Sequence, residues 1–271
     1  MHSEKNSIQD QYFGYVNTPN LWHNKSVFNI QQFDFAKNLT KTTFKRILPP
    51  NLRLGKRVEQ FVLNNLEQQK GLKILAETIQ IQQNKETIGE LDAILTYNLV
   101  PIHLEIVYKF YVYDPTVGSS EIDHLIGPNR KDLLTEKLNK LKNKQFPLLY
   151  RPETQPYLEH LGLNAAQCQQ AVCFKAQLFV PLNINIKLTT VNQACVVGYY
   201  ISIAEVLQFK NSLFYFPSKA DWLIFPHHQV VWESFTGIQR RLQNIKNNQY
   251  AACCWIKQAN KPLIKVFIVW W

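Results

Sequence analysis

Three stretches of extended pattern follow one another between residues 73 and 114 with almost nothing between them. Residues 73–82, 89–97 and 101–114 are joined by the polar turn Asn84-Lys85-Glu86 and by a short connection around Asn98. A parallel crossover needs a dozen or more residues, so links this short predict an antiparallel meander. Ahead of the meander, Leu54, Val58, Phe61, Val62 and Leu66 recur at helical spacing, which predicts a helix over 51–69. Pro49-Pro50 closes the mixed lead-in before it, and Gly71 lies where a left-handed cap is common.

Behind the meander, Gly127-Pro128-Asn129 punctuates the start of a second predicted helix, 130–145, with Leu133, Leu134, Leu138 and Leu141 on its inner face. A strand over 171–180 follows. The order helix, three strands, helix, strand predicts an α/β core around a mixed central sheet. The remainder is strand-rich, at 194–203, 212–217, 250–257 and 263–271, with a helix over 231–247 before a final hairpin across 258–262. The expected organisation is a lead-in over 1–50, a core over 51–183 and an elaboration over 184–271, packed as one compact unit.

With 271 residues, 46% apolar and 18% charged, the chain can bury a sizeable core and is not expected to be disordered. Its first residues lack the basic start and apolar run of a signal peptide, and no apolar stretch approaches the roughly 20 residues that cross a bilayer. Five cysteines, an odd number without a CxxC pair, read as reduced and buried thiols. Together these predict a cytoplasmic protein without a membrane partner. The net charge of +10 points to a polyanion, because neutralising phosphates releases condensed counterions.

The chemistry concentrates on two neighbouring strands. Alternate residues Ile102, Leu104, Ile106, Tyr108, Phe110 and Val112 form an apolar face, so His103, Glu105 and Lys109 project to the other side. On the preceding strand Glu90 and Asp92 share a face. Carboxylates one strand spacing apart make an oxygen-rich site for Mg or Mn, and Asp92 with Glu105 is the expected ligand pair. A lysine beside them can position a water or stabilise charge developing at phosphorus. Lys109 stands four residues after Glu105, about 13 Å along an extended strand at roughly 3.3 Å per residue.

Here the chain resembles the PD-(D/E)XK nuclease superfamily, whose core places an acid on the second strand and (D/E)xK on the third. The resemblance implies Asp92 and Glu105 as metal-holding catalytic acids, Lys109 as the catalytic lysine, and Glu59 on the opening helix as an accessory acid; Glu90 and His103 stand beside them. Two positions depart from the pattern. Val107 occupies the usual place of the lysine, and Leu91 precedes Asp92 where the motif has proline. A closer resemblance is to a bacterial family, domain of unknown function 1853, whose members look nuclease-like. It rests on Gly89-Glu90-Leu91-Asp92, on His103-Leu104-Glu105 through Lys109-Phe110-Tyr111, on Gly127-Pro128-Asn129 with Asp132 and Lys137, and on Leu21-Trp22 and the aromatic C-terminal strand.

Asn129, Arg130 and Lys131 at the start of the second helix, with Lys137 along it, make an expected phosphate seat; the alternative is an ordinary helix start. His227-His228 and Trp222 read as structure. The expected function is a metal-dependent phosphodiesterase acting on DNA or RNA. The alternatives are a nuclease-derived nucleic-acid-binding module without catalysis, or a protein-interaction protein docking through its C-terminal aromatics.

Overall fold

A computed structural model describes residues 2–35 and 43–271; Met1 and, within the predicted lead-in, residues 36–42 lie outside the described residues. In chain order the elements are α1 (His2–Asn17), α2 (Leu54–Glu67), β1 (Leu72–Gln83), β2 (Glu86–Tyr97), β3 (Val100–Tyr113) and β4 (Leu125–Ile126). Then come α3 (Leu134–Lys140), α4 (Gln155–His160), β5 (Gln169–Pro181), β6 (Val196–Ser202), β7 (Leu213–Tyr215), β8 (Glu233–Ser234), α5 (Gln239–Asn247), β9 (Ala252–Lys257) and β10 (Ile264–Val269). The fold is mixed α/β. Its contacts divide the chain into two units, each assembled from separated segments. One comprises Asn20–Tyr108 and Glu136–Lys175; the other comprises Met1–Pro19, Lys109–Thr135 and Ala176–Trp271. The chain passes between them four times: after Pro19, inside β3, inside α3 and inside β5.

The first unit holds the meander. β1 pairs antiparallel with β2 from Leu72↔Tyr97 to Gln83↔Glu86, and β2 pairs with β3 from Ala93↔Leu104 to Tyr97↔Val100. Both connections are two residues long. Asn84 and Lys85 (φ 50° and 68°), then Asn98 and Leu99 (φ 48° and 70°), are all left-handed, the conformation whose twist matches a tight hairpin. α2 buries Val58, Phe61, Val62 and Leu66, the stripe its sequence spacing predicts. A core of Ile81, Leu91 and Ile94 closes on Leu148, Leu149 and Leu158. Gly89 permits that approach, since a Cβ there would come within 2.6 Å of the Leu148 side chain. Leu21 and Trp22 are buried; Trp22 packs 5.1 Å from Phe174 and its indole N–H donates to the Ile30 carbonyl at 3.1 Å.

In the second unit β5 and β6 run parallel, as do β6 and β10; β10 forms the expected antiparallel hairpin with β9, which pairs onward with β7. Gly198 on β6 lets β10 come close, because a Cβ there would lie 2.0 Å from the Lys265 carbonyl oxygen. The Lys265 side chain is itself buried, and its ammonium donates to Gln177 Oε1 (2.7 Å), to the Ile224 carbonyl (3.0 Å) and to the Trp222 carbonyl.

Two predicted helices are shorter than expected. The one placed at 130–145 begins at Leu134, because Arg130 takes a left-handed turn (φ 52°), and its last residues, Leu141–Gln145, widen into a π turn before Pro147. The one placed at 231–247 begins at Gln239: β-branched Val231 and Gly237 are poor helix formers, and the segment between supplies β8 and a turn. Among the described residues no helix is long and apolar enough to cross a membrane.

Candidate metal centre

Three elements of the first unit bring acids together. α2 carries Glu59 and, one turn earlier, Lys56. β2 carries Glu90 and Asp92, two residues apart and therefore on one face. β3 carries His103 and Glu105 in the same relation. Glu59, Glu90 and Asp92 each offer a carboxylate oxygen, and these three atoms lie within 4.8 Å of one another. The Lys56 ammonium bridges two of them, donating to Glu59 Oε2 at 2.7 Å and to Glu90 Oε1.

Asp92 is fixed from the other side. Next to the Ala93↔Leu104 pair, its Oδ2 accepts a hydrogen bond from the Ile106 backbone N–H at 2.8 Å. A side-chain carboxylate thus takes the role a carbonyl plays in a strand ladder, and the acid is oriented by the backbone it caps.

Glu105 is fully buried and both its oxygens are engaged. Oε2 accepts from Gln145 Nε2, while Oε1 lies 3.0 Å from His103 Nε2. The histidine tautomer follows from its second neighbour. Gln170 Nε2 donates to the Phe146 carbonyl at 2.7 Å, which sets its amide orientation, and the same nitrogen lies 3.0 Å from His103 Nδ1. Nδ1 therefore accepts, and the ring proton sits on Nε2, donated to Glu105. Gln145 Oε1 accepts in turn from Lys137 Nζ at 2.7 Å.

The electrostatics reflect this crowding. Burial, then the charges of Glu105 and Glu59, push the Asp92 carboxyl up to about 8, against the opposing pull of the Ile106 amide and Lys56. Burial likewise raises Glu59; Lys56 opposes the shift, while Glu90 and Glu105 add to it. For Lys56, burial works against the charge, yet its bonds to Glu59 and Glu90 hold the ammonium well above the ordinary lysine range. Four acids thus crowd around one ammonium that is bonded to two of them, and a divalent cation would relieve their repulsion. The donors of the trio are all carboxylate oxygens, which suit hard cations such as Mg or Mn. The residues present can hold a metal ion.

The structure thus joins Asp92 to the two acids expected as accessories, Glu59 and Glu90, and places Glu105 beside them in a hydrogen-bonded network with His103. Lys109 is ion-paired to Asp132 at 2.7 Å, and Asp132 fits because position 127 is glycine: a Cβ there would lie 1.9 Å from its Oδ1. Asn129 Oδ1 accepts from the Ala251 N–H at 2.8 Å, and Arg130 pairs with Asp114 and lies 4.0 Å over the Trp271 ring. Lys131 is exposed, and Lys137 reaches Gln145. Sequence reasoning missed Lys56, Gln145 and Gln170. Lys56 had a legible signal, standing one helical turn before Glu59; the two glutamines reach the site only through tertiary packing.

No curated protein and no solved structure matches the chain. Residues 20–262, which include every residue of this centre, match the family model described as domain of unknown function (DUF1853), and the chain belongs to that family.

Proposed function

We propose that the chain is a metal-dependent nuclease of the PD-(D/E)XK type that hydrolyses phosphodiester bonds in DNA or RNA. One observation carries this reading: Glu59, Glu90 and Asp92 converge within 4.8 Å on a helix-then-meander core, with Glu105 on the adjoining strand contributing to the raised pKa of Asp92. In this reading Asp92, Glu90 and Glu59 hold the cation. Bound Mg or Mn would supply Lewis acidity and ease deprotonation of water at neutral pH. His103 and Gln145 keep the Glu105 carboxylate aimed from β3, and Lys56, already at the acids, offers positive charge to a phosphate.

Cleavage of single- and double-stranded DNA and RNA with Mg or Mn tests the proposal. The Asp92→Ala, Glu105→Ala double variant should lose more than the roughly 10–100-fold that removal of an outer-shell partner costs. Equal activity in the variant and the wild type would overturn it. A second reading, a nucleic-acid-binding module without catalysis, is favoured by Val107 in the usual lysine position and by the commitment of Lys109 to Asp132. It predicts salt-sensitive binding that needs no metal and survives loss of Glu105.

A further inference from the structure

The second unit contains a cavity of about 320 Å³ with a different chemistry. Phe216, Trp222 and Tyr250 supply aromatic walls, Lys219 and Arg241 supply charge, and Asn129 supplies an amide. Its volume lies at the lower end of the roughly 300–1,000 Å³ in which small-molecule sites occur. The cations are set against the rings: Arg241 lies 4.6 Å over Phe216, and Lys219 Nζ is 5.8 Å from the Trp222 centroid. Trp222 is anchored by edge contacts to Phe110 and Phe267 at 5.6 and 5.0 Å, so its ring is a fixed wall. Tyr250 is 37% exposed and open to a partner.

The surroundings are basic. Between residues 211 and 261 six lysines and arginines stand against two acids, Asp221 and Glu233. Asp221 is occupied by Gln11 and Ser218. Glu233 meets Arg241 at 3.3 Å in an exposed pair, a contact that costs little to exchange for a phosphate. Asn129 has its Oδ1 taken by the Ala251 amide, and its Nδ2 has no acceptor among the described residues, leaving a donor oriented by the backbone.

Rings that can stack on a base, cations that can pair with a phosphate and a fixed amide donor recur together where proteins hold single strands. We infer that this cavity binds a nucleotide, an aromatic base carrying a phosphate, as one unit of a single-stranded nucleic acid. The base stacks against Tyr250 and Trp222, the phosphate is met by Lys219 and Arg241, and Asn129 donates to the ligand. The inference deepens the nuclease reading and in part rests on it, but the pocket needs no metal.

Fluorescence anisotropy of a labelled ten-nucleotide oligothymidylate tests it, with the full chain in EDTA at low salt. Lys219→Ala with Arg241→Ala should weaken binding at least tenfold and reduce the slope of log K against log salt by roughly 1.4, the value for two single-strand phosphate contacts. Tyr250→Ala should weaken it about tenfold through lost stacking. The equally charge-depleting pair Lys187→Ala with Lys210→Ala, exposed elsewhere in the unit, should have less than a threefold effect. All these side chains are exposed, and a thermal melt confirms folding. Displacement of the probe by AMP identifies a free-nucleotide site; failure of AMP to displace a probe bound through these residues identifies a strand site. Wild type that binds neither probe, or the two paired variants behaving alike, would overturn the inference. Binding without cleavage sinks only the nuclease reading; cleavage with binding indifferent to Lys219 and Arg241 sinks only this one.

Discussion

Asp92 is held by its backbone bond to Ile106 while its neighbours oppose its charge, and this has a measurable pH signature. Its carboxyl titrates near 8 when folded and near 3.8 when unfolded, so between those values the native state keeps a proton that the unfolded chain has lost. Metal-free stability should fall as pH rises from about 4 to about 8, with a slope approaching 1.4 kcal/mol per pH unit from this group, and level off above. Asp92→Asn, which cannot ionise, should flatten the decline; at pH 8 manganese should stabilise the wild type and not the variant. Urea denaturation across pH with and without the ion reads both effects. Lys265 is the converse case, a buried cation whose three bonds go to one amide and two backbone carbonyls. Lys265→Met should destabilise by about 3 kcal/mol or more, because Gln177 Oε1 and the Trp222 and Ile224 carbonyls would lose the bonds they accept from the buried ammonium; a shift of the denaturation midpoint measures it. Glu90, Asp92 and Glu105 were legible from alternation on two strands, and Glu59 only through the resemblance to the nuclease superfamily. Their neutral partners were not, since a glutamine shows no preference for one distant carboxylate over another.

At the level of elements, the parts whose pattern and punctuation agree were the readable ones. α2 had a continuous apolar stripe, and β1 to β3 had two-residue turns built on Asn84 and Asn98. Of the helices that fell short, one carried a contradiction in its own sequence, Gly237, while the other starts late because Arg130 is left-handed, a conformation its residue type does not announce. β4 and β8, at two residues each, are too brief to show a period. Gly127-Pro128-Asn129 was legible as a turn, but its contacts were not. Its glycine houses Asp132, its Pro128 carbonyl accepts from the Trp271 indole at 3.2 Å, and its Asn129 caps Ala251. The close pairing of β6 with β10 depends on Gly198. Gly198→Ala is expected to destabilise by about 3 kcal/mol, because the clash is with backbone and no rotamer can relieve it.

For the molecule as a whole, all five cysteines are free and buried, Cys168 and Cys173 in the first unit and Cys195, Cys253 and Cys254 in the second. A thiol reagent should find few reactive groups in the native protein and five in denaturant. Rapid native labelling of Cys253 or Cys254 would contradict the packing of β9. Composition foretold buried thiols and a basic surface, yet it could not foretell that neither unit is a continuous piece of chain. The strand that carries Glu105 in one unit ends in the other with Lys109 bound to Asp132, the chain returns inside α3, and β5 crosses over once more. No single cut therefore frees an intact half: severing the chain near residue 183 would leave the segments of the second unit on two separate polypeptides, and a truncation meant to isolate the acidic centre would have to be sewn together from two pieces.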